Sequence, residues 1–193
     1  KAKCNNCHAT LGTEPTFHGG NRNDPTVCAF CHYAQRTSSG WSGRSTSFIH
    51  AIHGARKRTV NFNWHAASAT EGFWQIRFPG ILKNRETCHV PGAYDFSGIA
   101  YTDTLMSSLP YTGVATGIMS PTDFTRSPYV DSTGTVDYGV NFSYNTATGV
   151  TVQAAGTTLA TSPIATVCFA CHDNAPARAH MEWNGASIYQ PRT

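Results

Sequence analysis

Hydrophobic and polar positions alternate strictly in only one stretch, VDYGVNFSY (136–144). There Val136, Tyr138, Val140, Phe142 and Tyr144 fall on one face of an extended strand. NTATG follows as a turn and VTVQA as the returning strand, so the pattern predicts a small β-hairpin. Such a hairpin is marginal alone and needs its apolar face covered. In FIHAIHG (48–54), apolar positions four apart are too few for an ordinary amphipathic helix. What the spacing does give is His50 and His53 on one face of a short helical turn, about 5–6 Å apart at Cβ, with Gly54 ending the turn. Residues 66–90 are rich in aromatics (GFWQIRFPGIL) without a clear period. No run of 18 apolar residues occurs, so no transmembrane helix is expected.

Composition narrows the classes. The chain has 193 residues, is 40% hydrophobic and 13% charged, and carries a formal charge of +3. That is too apolar for a disordered chain. It is also too weakly basic for a nucleic-acid partner, which would present a broad basic stripe. The basic run ARKR (55–58) reads as a solvated loop. The chain begins at Lys1, which reads as a mature form that has lost an export signal, or as a fragment.

Seven cysteines change the picture. Six form Cys-x-x-Cys pairs, each followed at once by histidine: Cys4/Cys7/His8, Cys28/Cys31/His32 and Cys168/Cys171/His172. This is the attachment signature of c-type haem. Two thiols three positions apart bond the two vinyl groups on one porphyrin edge, and the next residue supplies the proximal imidazole. Zinc competes, since Cys4, Cys7, Cys28 and Cys31 fall at the edge of zinc-ribbon spacing. Zinc does not require a histidine after every pair, however, and Cys168/Cys171 would lack a partner pair. Redox thiol chemistry would want a βαβ setting that the chain does not show.

RETCH (85–89) keeps Cys88 and His89 but has Arg85 where a first cysteine would stand. Three readings are open. It is a fourth haem site held by one thioether, a free cysteine beside a loop histidine, or a site whose residue 85 is recorded wrongly. The first is favoured, because coordination by His89 does not depend on residue 85.

The proximal set is then His8, His32, His89 and His172, which leaves His18, His50, His53, His65 and His180. Five candidate distal ligands for four irons allow every iron to be closed by two histidines. A closed iron has no position for substrate, so the count points to electron transfer rather than catalysis. His50 and His53 are too close to clamp one iron from both sides and would serve two adjacent haems.

With roughly 48 residues per haem, little chain is available for a conventional core. The expected fold is a single multihaem cytochrome c domain over 1–193, mostly irregular coil, with short helices at the haem sites, a small β-hairpin and haems as its core. Residues 1–90 are the haem-dense part, 91–167 a haem-free Gly/Thr/Tyr-rich segment, and 168–193 a C-terminal haem site.

The stretches CNNCHATLGTEPTFHGGNRNDPTVCAFCH, FIHAIHG, FPGILKNRETCHVPGAYDFS and TSPIATVCFACHDNAPARAHM together resemble modules of the outer-surface decahaem cytochromes of the OmcA/MtrC type. In that family the third stretch carries a complete CxxCH, from which Arg85 departs. The resemblance implies stacked haems, each with two histidine ligands, working at the cell surface. In length and haem number the chain is similar to extracellular tetrahaem cytochromes of the OmcE type, which implies copies of itself in a conductive filament. The expected function is therefore extracellular electron transfer, with redox proteins or external acceptors as partners. A monomeric tetrahaem shuttle is the alternative. A multihaem reductase is less favoured, since no CxxCK motif is present.

Overall fold

The computed structural model describes residues 2–13, 18–34, 36–94, 112–114, 124–129, 142–145, 150–153 and 159–191; at 37–38, 112–114, 142–145, 150–153 and 191 it describes the backbone alone. The chain forms two compact units, each discontinuous in sequence. One comprises Lys1–His32 and Phe78–Leu109, the other Tyr33–Arg77 and Pro110–Thr193.

The first unit holds three of the four cysteine–histidine motifs. Its described elements are 3-10 turns at Cys4–Asn6, His18–Gly20 and Arg85–Thr87, and helix α1 (Pro25–Cys31). Helix α1 starts where the sequence supplies both a cap and a fixed φ. The Asp24 carboxylate accepts from the Thr26 N–H at 3.0 Å, and Pro25 occupies a first-turn position where its missing N–H costs nothing. Gly12 is the only buried residue described in this unit. Its φ of +88° lies in the left-handed region, and a Cβ there would press on the Arg22 carbonyl.

The second unit is built differently. Strands β1 (Thr37–Ser38) and β2 (Trp41–Ser42) pair antiparallel and lead into helix α2 (Ser45–His53). A three-stranded antiparallel sheet has β3 (Thr112–Val114) and β7 (Gln190–Pro191) on either side of the fully buried β6 (Leu159–Thr161). Strands β4 (Phe142–Asn145) and β5 (Val150–Gln153) form the expected hairpin, with Phe142 opposite Gln153 and Asn145 opposite Val150. The earlier part of the alternating run, 136–141, lies outside the described residues, as does the turn at 146–149. Helices α3 (Pro163–Phe169) and α4 (Ala175–Trp183) complete the unit. Helix α4 is capped by Asn174, whose Oδ1 accepts from the Ala177 N–H at 2.9 Å. No helix among the described residues is long and apolar enough to cross a membrane.

Apart from any haem, this unit buries side chains of its own. Trp41, Ala51, Phe62, Trp64 and Ala170 form one buried cluster, and Ala165, Phe169 and Ile188 form another. Aromatic rings join them edge to face, the geometry their quadrupoles favour. Trp41 meets Phe62 at 4.9 Å and Tyr129 at 5.8 Å, and Tyr129 meets Phe169 at 5.2 Å. The Trp41 indole N–H is satisfied at 2.8 Å by Asn63 Oδ1, so its burial leaves no donor unpaired.

The reading of ARKR as a solvated loop is also corrected. Arg56 and Lys57 are exposed, but the Arg58 side chain is only 2% exposed and pairs at 3.2 Å with Asp173, whose side chain is 0% exposed. The guanidinium lies 5.5 Å from the Trp41 ring centre and 5.7 Å from that of Phe62. Burial alone would raise the Asp173 carboxyl. The Thr59 N–H, the Tyr129 hydroxyl, the Val60 N–H and Arg58 together outweigh it and hold the carboxyl below its ordinary range.

Candidate functional site

All four cysteine–histidine motifs share one backbone hydrogen bond, from the histidine N–H to the carbonyl four residues before it. The carbonyl of Cys4 accepts from Cys7 N–H at 3.2 Å and His8 N–H at 3.0 Å; that of Cys168 accepts from Cys171 at 3.2 Å and His172 at 2.8 Å. At the end of α1, Cys28 accepts from His32 at 2.8 Å. Arg85 does the same work, accepting from Cys88 at 3.1 Å and His89 at 2.9 Å. The match extends to dihedral angles: Cys7 has φ −121°, ψ −32°, and Cys88 has φ −110°, ψ −34°. This turn brings positions i and i+3 to one side and sends the following histidine onward. RETCH thus lacks the first thiol but shares the two hydrogen bonds of the motifs at Cys4 and Cys168.

The local sequence supports that shape. The Lys3 ammonium donates to the Glu86 carbonyl at 2.7 Å, and the Tyr94 hydroxyl donates to the Glu86 carboxylate at 3.2 Å. The Arg85 guanidinium lies 5.7 Å from the Tyr94 ring centre. Burial pushes the thiols of Cys28, Cys88 and Cys171 above the ordinary cysteine range. Cys4 contributes to the shift at both Cys28 and Cys88, so the first motif lies within electrostatic reach of the other two in its unit. All seven cysteines are free of disulfides. They are therefore available as thiols, the form that adds across a vinyl group.

The remaining histidines divide between the units. His18, with φ of +49°, stands beside His32, their ring centres 6.2 Å apart and their planes inclined by 36°. A metal–imidazole bond of about 2 Å, with the ring centre roughly 1.1 Å behind the bonding nitrogen, separates two imidazoles across one iron by about 6 Å. The His18–His32 spacing matches that figure.

His50, His53, His65 and His180 belong to the other unit. His50 and His53 do share helix α2, and each is oriented by its own helix. His50 Nδ1 lies 2.6 Å from the Thr46 carbonyl and His53 Nδ1 2.8 Å from that of Ile49. A carbonyl only accepts, so each Nδ1 carries the proton and the lone pair resides on Nε2. That is the tautomer a metal ligand uses when its second nitrogen is held by a backbone oxygen. His65 has φ of +51° and lies next to Trp64, ring centres 4.4 Å apart. His180 is exposed in the last turn of α4.

Three contributors near the C-terminal motif were not legible in sequence. Gly54 lies against Cys171, whose thiol donates to the His50 carbonyl at 3.4 Å. Arg58 and Asp173 surround the same turn. Gly54 does end α2, as expected, but its φ is −89°, which any residue adopts. Space, not backbone freedom, is what the position demands.

The donor set fits c-type haem: thiols on turns that share a backbone hydrogen bond, a histidine following each, and second histidines with oriented rings. No curated protein and no solved structure gives a significant match to the chain. The model of one family does, that described as outer membrane cytochrome MtrC/MtrF-like, domains II/IV, over residues 1–192. The chain therefore belongs to the MtrC/MtrF-like outer membrane cytochromes, c-type haem proteins of electron transfer at the cell surface.

Proposed function

We propose that this chain conducts electrons through four covalently attached haems, each iron closed by two histidines. The observation that supports the count is the turn: Arg85–His89 has both hydrogen bonds of the motifs at Cys4 and Cys168, and shares with Cys28 the one from the histidine. Haem supplies one-electron chemistry between ferric and ferrous iron. The chain supplies attachment, ligand orientation and exclusion of other ligands. Cys4, Cys7, Cys28, Cys31, Cys168 and Cys171 would anchor three haems by two thioethers each, and Cys88 would anchor the fourth by one. His8, His32, His89 and His172 are the proximal ligands in this reading, and His18 closes the iron held by His32. The intact holoprotein should have the mass of the polypeptide plus four haems. Its pyridine haemochrome should show a minority component shifted to longer wavelength by the vinyl group left unbonded opposite Arg85. A mass of three haems would make RETCH a vestige.

Closure by histidine has its own test. The reduced wild-type protein should bind carbon monoxide poorly, because no iron offers a vacant position. His18→Ala should admit carbon monoxide at one haem in four. Rapid binding by the wild type would reveal an open iron and return the reductase reading. An unchanged His18→Ala protein would assign His18 elsewhere.

Assembly of copies into a conductive filament is a second, finer proposal. The two-stranded β4–β5 sheet supports it, since its outer edges pair with no other described strand and a second chain could add there. Electron microscopy of concentrated holoprotein separates filament from monomeric shuttle.

A further inference from the structure

We infer that Arg58 is a positioning residue for the haem carried by Cys168, Cys171 and His172. The inference rests on the reading of that motif as a haem site. Phe169 and Ala170 are the two residues between its cysteines, and they stand where α3 ends. A helix leaves its last carbonyls without intrahelical partners and concentrates negative charge there. Arg58 answers both conditions. One terminal nitrogen donates to the Ala170 carbonyl at 2.6 Å and to that of Phe169 at 3.4 Å. Its Nε donates to the Val60 carbonyl at 3.0 Å, and its other terminal nitrogen reaches the Tyr129 hydroxyl at 3.3 Å and Asp173 Oδ2 at 3.2 Å.

The clamp closes on the other side of His172. Asp173, the next residue, accepts from the Thr59 N–H at 2.6 Å, the Val60 N–H at 3.0 Å and the Tyr129 hydroxyl at 2.7 Å. Residues 58–60 therefore hold positions 169, 170 and 173 at once, and His172 lies between held points. The direction of its imidazole is set by a buried, charge-assisted network rather than by the cofactor it serves. At RETCH the corresponding carbonyl contact, from Lys3 to Glu86, is exposed. Lysine could not replace Arg58, because an ammonium lacks the planar fork that spans carbonyl, hydroxyl and carboxylate together.

The test uses ferric holoprotein and electron paramagnetic resonance. The g-values of a low-spin haem with two histidines report the relative orientation of the two imidazole planes. A Cys168→Ala/Cys171→Ala variant identifies the signal of this haem by its loss. In Arg58→Met that one signal should move beyond the wild-type linewidth while the others stay, and Arg58→Lys should restore it only in part. Unchanged signals in both variants, with haem retained and only the melting temperature lowered, would overturn the inference and leave Arg58 a packing residue. If Arg58→Met does not fold, Arg58→Lys decides alone: a shift confined to this signal supports the inference, and no shift overturns it. A wild-type protein without haem at this motif would overturn the functional reading instead, and intact mass detects that separately.

Discussion

Polypeptide made without haem attachment should be folded in one unit and unfolded in the other. Amides around Trp41, Ala51, Phe62, Trp64, Ala165, Phe169 and Ile188 should exchange slowly with solvent. Those of 2–13, 18–32 and 78–94 should exchange at rates near those of an unstructured chain. The reason is burial. Every buried hydrophobic residue described belongs to the unit of Tyr33–Arg77 and Pro110–Thr193. Burying one large side chain stabilises by roughly 1.5–3 kcal/mol, whereas ordering each backbone residue costs about 1–2 kcal/mol. The other unit, with only Gly12 buried among its described residues and Phe30 and Ile81 at 81% and 64% exposure, has no such gain to set against ordering. In the proposed reading, three porphyrins would supply the missing apolar surface, and their bonds to iron and sulfur would form only in the folded chain. Uniform exchange across the apo chain, fast or slow, would show that the two units share one cooperative transition.

Gly54→Ala should cripple the proposed C-terminal haem site while changing a single methyl group. The added Cβ would sit inside the van der Waals envelope of Cys171 Sγ, 2.9 Å from the His50 carbonyl oxygen and 3.3 Å from Cys171 Cβ. Neither obstacle is the loose end of a long side chain. One is helix backbone; the other is a sulfur that a thioether would fix in place. Overpacking of this kind costs about 1–3 kcal/mol where neighbours can shift. The upper end is expected here, with a melting temperature lower by several degrees and haem stoichiometry reduced by one in a fraction of molecules. Because φ at Gly54 is ordinary, alanine adds no backbone strain and the effect isolates the steric term. Full haem content and an unchanged melting curve would mean that α2 and the Cys168–His172 turn move apart readily.

The candidate attachment motifs were legible in the sequence because covalent chemistry at a porphyrin edge imposes local spacing. Two thiols and an imidazole must lie within five residues, so no tertiary information is needed to find them. The hairpin at Phe142–Asn145 and Val150–Gln153 was legible for the same reason, since strand alternation is a near-neighbour property. Asp24 and Pro25 likewise announce the start of α1. Arg58 was not legible. Its carbonyl partner Ala170 lies 112 residues away, and in a run with two exposed cations nothing marks the one that turns inward. The aromatic core was missed because Trp41, Phe62, Trp64, Tyr129 and Phe169 follow no period, and only the fold shows that their rings meet. The place of Gly54 against Cys171 has the same origin, a contact between distant segments that leaves no local trace. Sequence alone thus determined the chemistry this protein carries, since bonded cofactors constrain neighbours along the chain. Tertiary structure alone decided which attachment turn is held by a buried ion pair and which unit has a core of its own, since burial depends on what distant segments bring together.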